Sequence, residues 1–259
     1  MTQVIIDGDI FLYQCAFAAE REVCWDENEE FYTLFGELGP ACRAFEGQVT
    51  SVLKIIGVKD YLICFTGKNV FRKSYDTAYK ANRAGKRKPV VLSPLRDYII
   101  KAHPTKRVDN LEADDLLGLL AGQSDIMVTS DKDLLTVPGL HFDPKIGSRG
   151  VVQVTPHEAI YTHFLQTLTG DTVDNIKGCP RIGPVTARKK LHAGPPSEMW
   201  EQVINLFSTA GLSEEYALTQ ARLTYILRGD DFDFTTNTVR DWEPGLYNQY
   251  DRTTPALDH

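Results

Sequence analysis

The chain has 259 residues, 42% hydrophobic and 24% charged, with a formal net charge of -7. That length allows one large domain or two small ones and a core without disulfide staples, and the composition excludes a fibre or a disordered tail. The acidic balance also argues against generic nucleic-acid binding, which wants a basic surface.

Val4-Ile5-Ile6 reads as a buried strand running into Asp7-Gly8-Asp9. Residues 10–19 look helical, and residues 20–37 are acidic, with a hairpin expected around Asp26-Glu27-Asn28. Phe45, Val49, Val52, Leu53 and Ile56 have helical spacing, and residues 61–65 form a second apolar strand. Ser93-Pro94 opens a helix through Lys101, with proline in its first turn. Residues 111–121 form a short helix and Ile126-Met127-Val128 a third strand, with weaker strands near 140–142 and 151–154. Strands alternating with helices predict an α/β sheet with parallel strands. After Thr155-Pro156 the pattern is helical to about residue 227, with Thr155 and Glu158 as a capping box.

No run of about 18 apolar residues exists, so no membrane span is expected. The N-terminus lacks the features of a signal peptide. The five cysteines are scattered and never paired as C-x-x-C, which argues against zinc and a disulfide framework. A reducing cytosol is the expectation.

Carboxylates gather where apolar segments end. Asp7 follows the first strand, and Asp131 and Asp133 the third. Glu112, Asp114 and Asp115 start a helix, and Asp171 and Asp174 are spaced to share one helix face. Ligands of open parallel sheets bind beyond the carboxyl ends of the strands, so these acids converge. Each alone also suits a cap or turn. Together they need a compensating cation, and hard oxygen donors suit Mg²⁺ or Mn²⁺.

The charge is unevenly spread. Residues 68–107 hold twelve Lys/Arg against Asp76 and Asp97, a local +10; the remainder has 16 basic and 33 acidic groups, or -17. Arg72, Lys80, Arg83, Lys86, Arg87 and Lys88 follow the second strand and are candidates for contacting phosphates. Tyr79 suits either stacking on a base or a place in the core.

Residues 174–187 interrupt the helical region. Gly178 and Gly183 permit tight turns and close approach of a phosphate to backbone N–H groups. Pro184 opens the next helix, Arg188 and Lys189 follow, and residues 175–197 contain no acid. With Lys177 this reads as a helix-hairpin-helix module gripping a DNA backbone without reading sequence.

Five blocks in order carry a family resemblance: Ile5-Ile6-Asp7-Gly8; Phe71-Arg72 with Tyr79-Lys80-Ala81-Asn82-Arg83; Leu111-Glu112-Ala113-Asp114-Asp115; Thr129-Ser130-Asp131-Lys132-Asp133; and Gly170-Asp171 through Ala187. The chain resembles the 5′-nucleases of the flap endonuclease superfamily, close to stand-alone phage 5′-to-3′ exonucleases. The resemblance implies a PIN-like (Rossmann-like) α/β core over residues 1–155, with a basic helical arch near 68–107. A helical domain over 156–259 would carry the helix-hairpin-helix motif near 171–191. It implies Asp7, Glu112, Asp114 and Asp115 for a first Mg²⁺ or Mn²⁺, and Asp131, Asp133, Asp171 and Asp174 for a second. Lys80 and Arg83 match the pair that contacts the scissile phosphate, with Asp7, Asp115 and Asp131 counted beside them as catalytic. The loop near Ile176 and Ile182 resembles one that binds K⁺ through backbone carbonyls. Implied substrates are DNA 5′ ends, flaps, nicks or gaps, with RNA–DNA hybrid left open, acted on by a monomer in bacterial or phage-infected cytoplasm. Where many relatives carry an Asp after the second strand, this chain has Thr66, for which either Asp9 or a metal-bound water is expected to compensate.

Two rivals stand beside this reading. Asp7-Gly8-Asp9 also resembles the first motif of haloacid-dehalogenase-like phosphatases, with Asp7 as nucleophile. That reading leaves the basic stretch and the glycine hairpin unexplained. A non-catalytic DNA-binding module is supported by Thr66 alone.

Overall fold

A computed structural model describes residues 2–26 and 31–250. Its elements in chain order are β1 (Val4–Asp7), α1 (Gly8–Ala18), β2 (Glu20–Cys24), β3 (Tyr32–Gly36), α2 (Leu38–Ile56), β4 (Tyr61–Thr66), α3 (Arg72–Tyr75), α4 (Leu92–Ala102), β5 (Thr105–Val108), α5 (Ala113–Leu120), β6 (Ile126–Val128), β7 (Gly139–Phe142) and β8 (Val152–Val154). Four helices follow: α6 (Pro156–Thr169), α7 (Pro184–Lys190), α8 (Pro196–Thr209) and α9 (Glu214–Thr224). A small ribbon, β9 (Phe232–Asp233) with β10 (Thr238–Val239), comes after them.

The main sheet has the order β5-β4-β1-β6-β7-β8. All pairs are parallel except β7 with β8. β1 lies between β4 and β6, where the chain changes direction across the sheet. This is the switch point at which open α/β sheets bind ligands.

Both sheet faces are covered, which is why β1 reads as a continuous apolar run. Its side chains alternate between faces. Val4 and Ile6 pack with Phe11, Phe45, Ile63 and Ile99 under α1, α2 and α4. Ile5 and Met127 face the other way and join Leu116, Phe164, Trp200 and Trp242. The sheet and the C-terminal helices therefore share one hydrophobic core.

Most elements match their expected positions. The hairpin at 20–37 forms as β2 and β3, although Glu27 and Asn28 of its expected tip lie outside the described residues. The capping box of α6 is present as read. One strand was missed. Thr105–Val108 belongs to the basic run, and its Lys106 and Arg107 mask the alternation, yet it forms the sheet edge beside β4. An edge strand accepts charged side chains because they reach solvent. Among the described residues no helix is long and apolar enough to cross a membrane, and the five cysteines are free thiols.

Candidate active site

The site lies beyond the C-terminal ends of β1 and β6. Asp7 ends β1 and caps α1, accepting hydrogen bonds from Asp9 N at 3.1 Å and Ile10 N at 3.4 Å. Thr129 Oγ1, from the end of β6, donates to Asp7 Oδ2 at 3.0 Å. Burial, then the charge of Asp9, push the Asp7 carboxyl up to about 7. The expected cap role and the site position thus coexist in one residue.

Asp114 stands in the first turn of α5. Burial, then the charges of Asp7 and Asp131, hold its carboxyl well above the usual range. Asp131 caps the 3-10 turn Lys132–Thr136 by accepting from Asp133 N at 2.9 Å. Asp133 accepts from Gln166 Nε2 of α6 at 3.0 Å. Burial, then Asp131 and Asp171, push Asp133 up to about 7.

Across the cleft, cations oppose these acids. Lys80 Nζ contacts Glu112 Oε1 and lies 3.2 Å from Asp174 Oδ2. Arg83 pairs with Asp174 Oδ1. Burial works against ionised Glu112, but Lys80 and Arg72 hold its carboxyl down at about 2. Glu112, Asp114, Asp133, Asp171 and Asp174 border a cavity of about 60 Å³.

Residues 2–143 match the family model described as the 5′-3′ exonuclease, N-terminal resolvase-like domain. The chain belongs to the 5′-3′ exonuclease family. It is 24% identical to the exonuclease of Escherichia phage T7 over 282 aligned positions, covering 93% of each chain. A 5′-3′ exonuclease of Buchnera aphidicola (subspecies Acyrthosiphon pisum) is 29% identical over 208 positions, 71% of this chain and 68% of the relative. The fold resembles the T5 D15 protein co-crystallised with metal ions, with a TM-score of 0.59, 17% identity, and 86% and 89% of the two chains covered. The phosphatase reading has no support beside this family membership.

Within this exonuclease fold several expected site residues take other roles. Asp115 is fully buried, and both its oxygens bind Arg72 at 2.7 Å. It also accepts from Glu112 N at 3.1 Å and Leu227 N at 3.2 Å, so it faces the core and not the cleft. The expectation that it is catalytic and holds a metal is corrected. Arg72 is 3% exposed, with every donor nitrogen committed inside the protein. It therefore offers DNA no contact.

Tyr79 is the core aromatic of the two readings, not a base-stacking platform. It is 3% exposed, and its hydroxyl lies 2.7 Å from Glu112 Oε2 and 3.3 Å from Asp174 Oδ2. Arg87 is exposed, but its guanidinium fork is closed on Glu20 at 2.8 Å twice. Asp171 and Asp174 meet in a turn, not on a helix face; Asp171 Oδ1 accepts from Val173 N at 2.6 Å and Asp174 N at 3.3 Å.

The glycine hairpin divides similarly. Gly178 is buried with φ +63, and a Cβ there would sit 2.4 Å from Gly170 N. Its amide donates to Gln220 Oε1 at 2.9 Å. Gly178 thus serves chain-to-chain packing, and the expected approach of a phosphate at this position is corrected. Gly183 has open space where a Cβ would go, and Arg188 and Lys189 are exposed on α7. Ile176 O accepts from Asp171 N at 3.0 Å, closing the hairpin.

Thr66 works through hydrogen bonds. Its amide donates to Asp9 Oδ2 at 2.9 Å, and its hydroxyl accepts from Ala113 N at 3.1 Å. Asp9 is therefore held at the end of β4, where the missing family carboxylate was noted. Gln166 and Thr129 were missed as site partners. Thr129 had a signal in the Thr-Ser-Asp run after a strand, whereas Gln166 had none.

Proposed function

We propose that this chain hydrolyses DNA phosphodiester bonds near 5′ ends, flaps, nicks and gaps, using two divalent ions, Mg²⁺ or Mn²⁺. The observation that carries this reading is the crowding of Asp7, Asp114 and Asp133, each raised by burial and neighbouring carboxylates. Bound cations relieve that repulsion. The donors are hard oxygens, which fit Mg²⁺. Among the described residues no three His, Cys, Asp or Glu side chains form a group that could hold an ion. The fit therefore rests on donor chemistry and on Mg²⁺ retaining several waters beside one or two carboxylates.

Of Asp7, Asp9, Asp114 and Glu112, one or two would hold the first ion and the others its waters, and Asp131, Asp133, Asp171 and Asp174 would do the same for the second. When bound, such ions lower the pKa of water and neutralise charge on a transferring phosphoryl group. Lys80 and Arg83 bind the non-bridging oxygens of the scissile phosphate and orient it. For this they exchange Glu112 and Asp174 for the substrate. Tyr79 and Arg72 act behind them by fixing Glu112.

Gly183, Lys177, Arg188 and Lys189 grip the duplex backbone away from the cut, and Lys86 and Lys88 add phosphate contacts. Backbone carbonyls of the 176–182 loop hold K⁺ beside this grip, with Ile182 and Ile176 as donors. One chain supplies every residue in this scheme, which supports a monomer as the active form. A relative in fold, the flap endonuclease of bacteriophage T5, has been solved as a pseudo-enzyme-product complex with DNA and metal ions, at 16% identity and TM-score 0.60. It supports the substrate class.

A 5′-labelled flap duplex incubated with Mg²⁺, Mn²⁺ or EDTA tests the reading. Small 5′-labelled products with either metal, and none in EDTA, are expected. Manganese titration followed by electron paramagnetic resonance gives the number of ions independently of cleavage. Binding without cleavage would return the chain to the DNA-binding-module reading. A parallel RNA–DNA hybrid tests the second substrate.

A further inference from the structure

Asn82 and Asn175 have no part in the scheme above, yet they tie two of its segments together. Asn82 lies in the 3-10 turn Ala81–Arg83, just after Lys80. Its Nδ2 donates to Thr172 O at 2.9 Å and to Val173 O at 3.1 Å. Asn175 answers from the other side, with Nδ2 donating to Ala78 O at 2.7 Å. Lys177 Nζ donates to Asn175 Oδ1 at 2.7 Å, which leaves the NH₂ end of that amide to face Ala78. Between the two side chains, Lys80 N donates to Asp174 O at 2.8 Å. The segment bearing Lys80 and Arg83 is thus stitched to the turn bearing Asp171 and Asp174.

The backbone shows what this attachment imposes. Lys80 has φ +55 and Asn175 φ +59. Asparagine tolerates this left-handed region, whereas lysine enters it far less often. A residue stays in such a conformation where its surroundings over-determine it, and such residues cluster at functional sites.

The stitches differ in kind from the ion pairs beside them. Lys80 pairs with Glu112 and Asp174, and Arg83 pairs with Asp174. Those pairs must open when the cations turn to a phosphate. The contacts of Asn82 and Asn175 join neutral amides to backbone carbonyls and need not open in that exchange. Without them the segment would come loose as its ion pairs break, and ordering it again would add to the barrier.

We propose that Asn82 and Asn175 form a reciprocal amide clamp that positions Lys80 and Arg83 while their ion pairs are exchanged for the scissile phosphate. Both are positioning residues, acting through the two cations. The inference rests on the reading of Lys80 and Arg83 as phosphate-binding groups.

Asn82→Ala removes one half of the clamp. Asn175→Gly removes the other and keeps the left-handed backbone accessible. Amide hydrogen exchange of residues 78–83 in EDTA, followed by mass spectrometry, is expected to quicken about ten-fold in each variant, with an unchanged melting temperature. Single-turnover cleavage of the flap duplex at saturating Mg²⁺ is expected to slow about ten-fold, with duplex affinity within about two-fold of wild type. In a Lys80→Ala/Arg83→Ala background, Asn82→Ala is expected to slow the residual rate by less than about two-fold, because the side chains it acts through are already gone. Wild-type exchange or a wild-type rate in Asn82→Ala would overturn the proposal. A further loss of about ten-fold in the doubly substituted background would overturn it too, as would a fall in melting temperature that tracks the loss of rate, because the amides would then be general supports of the fold. A wild-type chain that cuts no flap would sink the nuclease reading and this inference with it, whereas an active wild type with unaffected variants sinks the inference alone.

Discussion

Arg72 grips Asp115 with a two-point fork inside the protein, Nη1 on Oδ2 and Nη2 on Oδ1, each at 2.7 Å. The same guanidinium donates to Glu112 Oε2 at 2.8 Å and to the carbonyls of Leu223 and Tyr225 at 3.1 and 2.6 Å. One side chain thereby joins the acidic start of α5 to the end of α9. Arginine suits this place because its planar fork fits a carboxylate and keeps donors for the carbonyls.

Removing that cation leaves a buried carboxylate unpaired. Arg72→Met is expected to destabilise the fold by about 3–5 kcal/mol. Adding Asp115→Leu to it is expected to recover part of the loss, because both charges are then gone. Urea denaturation measures both. A loss below about 1 kcal/mol for the single variant would place the pair among ordinary surface contacts.

The crowded aspartates make stability depend on pH and on metal. Asp7 and Asp133 have folded values near 7 against a usual 3.8. Each favours the fold when protonated, and that contribution is lost as pH rises through about 7. In EDTA the protein is expected to melt lower at pH 8 than at pH 6, with a slope of at most about 1.4 kcal/mol per pH unit for each group. Asp133→Asn is expected to raise the melting temperature at pH 8 in EDTA while cleavage falls by orders of magnitude. Calorimetry with and without Mg²⁺ reads the first effect, and the flap assay the second.

His163 has the opposite sign. It is fully buried, with Nε2 2.9 Å from Ala221 O and Nδ1 3.0 Å from the Tyr247 hydroxyl. Burial pushes it down to about 3. The unfolded chain takes up a proton near pH 6.5 while the folded chain does not, so stability falls as pH drops from 6.5 towards 3. His163→Gln is expected to be less stable than wild type at pH 7, with the gap narrowing by about 2 kcal/mol at pH 5. A constant gap would show that the histidine titrates alike in both states.

Tyr79 and Lys80 are adjacent in sequence and separable in experiment. Tyr79→Phe removes one hydrogen bond to Glu112 and is expected to lower turnover about ten-fold, equivalent to roughly 1.4 kcal/mol of lost positioning. Affinity for single strands should not change, because the ring is buried. Lys80→Ala is expected to reduce turnover by more than it reduces binding. Single-turnover kinetics and filter binding on one substrate separate the two.

The hairpin glycines are expected to fail in different ways. Gly178→Ala drives a Cβ into the backbone of Gly170 and is expected to lower the melting temperature sharply. Gly183→Val places its Cβ in open space and is expected to leave the melting curve nearly unchanged while weakening duplex binding regardless of sequence. Melting curves and duplex titrations on both variants check this.

Sequence alone determined the alternation of strands and helices, because each apolar run is short and ends at a turn or cap. Val4-Ile5-Ile6 read as a buried strand, and the box of Thr155 and Glu158 marked the start of α6. The clustering of Asp7, Asp114, Asp131 and Asp133 was legible because parallel strands deliver their C-terminal residues to one edge. Tertiary structure decided which charges face the cleft. Glu112, Asp114 and Asp115 lie in one turn, yet Asp115 points into the core and is neutralised there by Arg72, from 43 positions earlier. Tyr79 and Gly178 are buried for the same kind of reason: a partner distant in sequence, Glu112 or Gln220, takes the group their local pattern left open. Local patterns fix backbone conformation through near neighbours, whereas burial and pairing of a charge depend on contacts that only the folded chain creates.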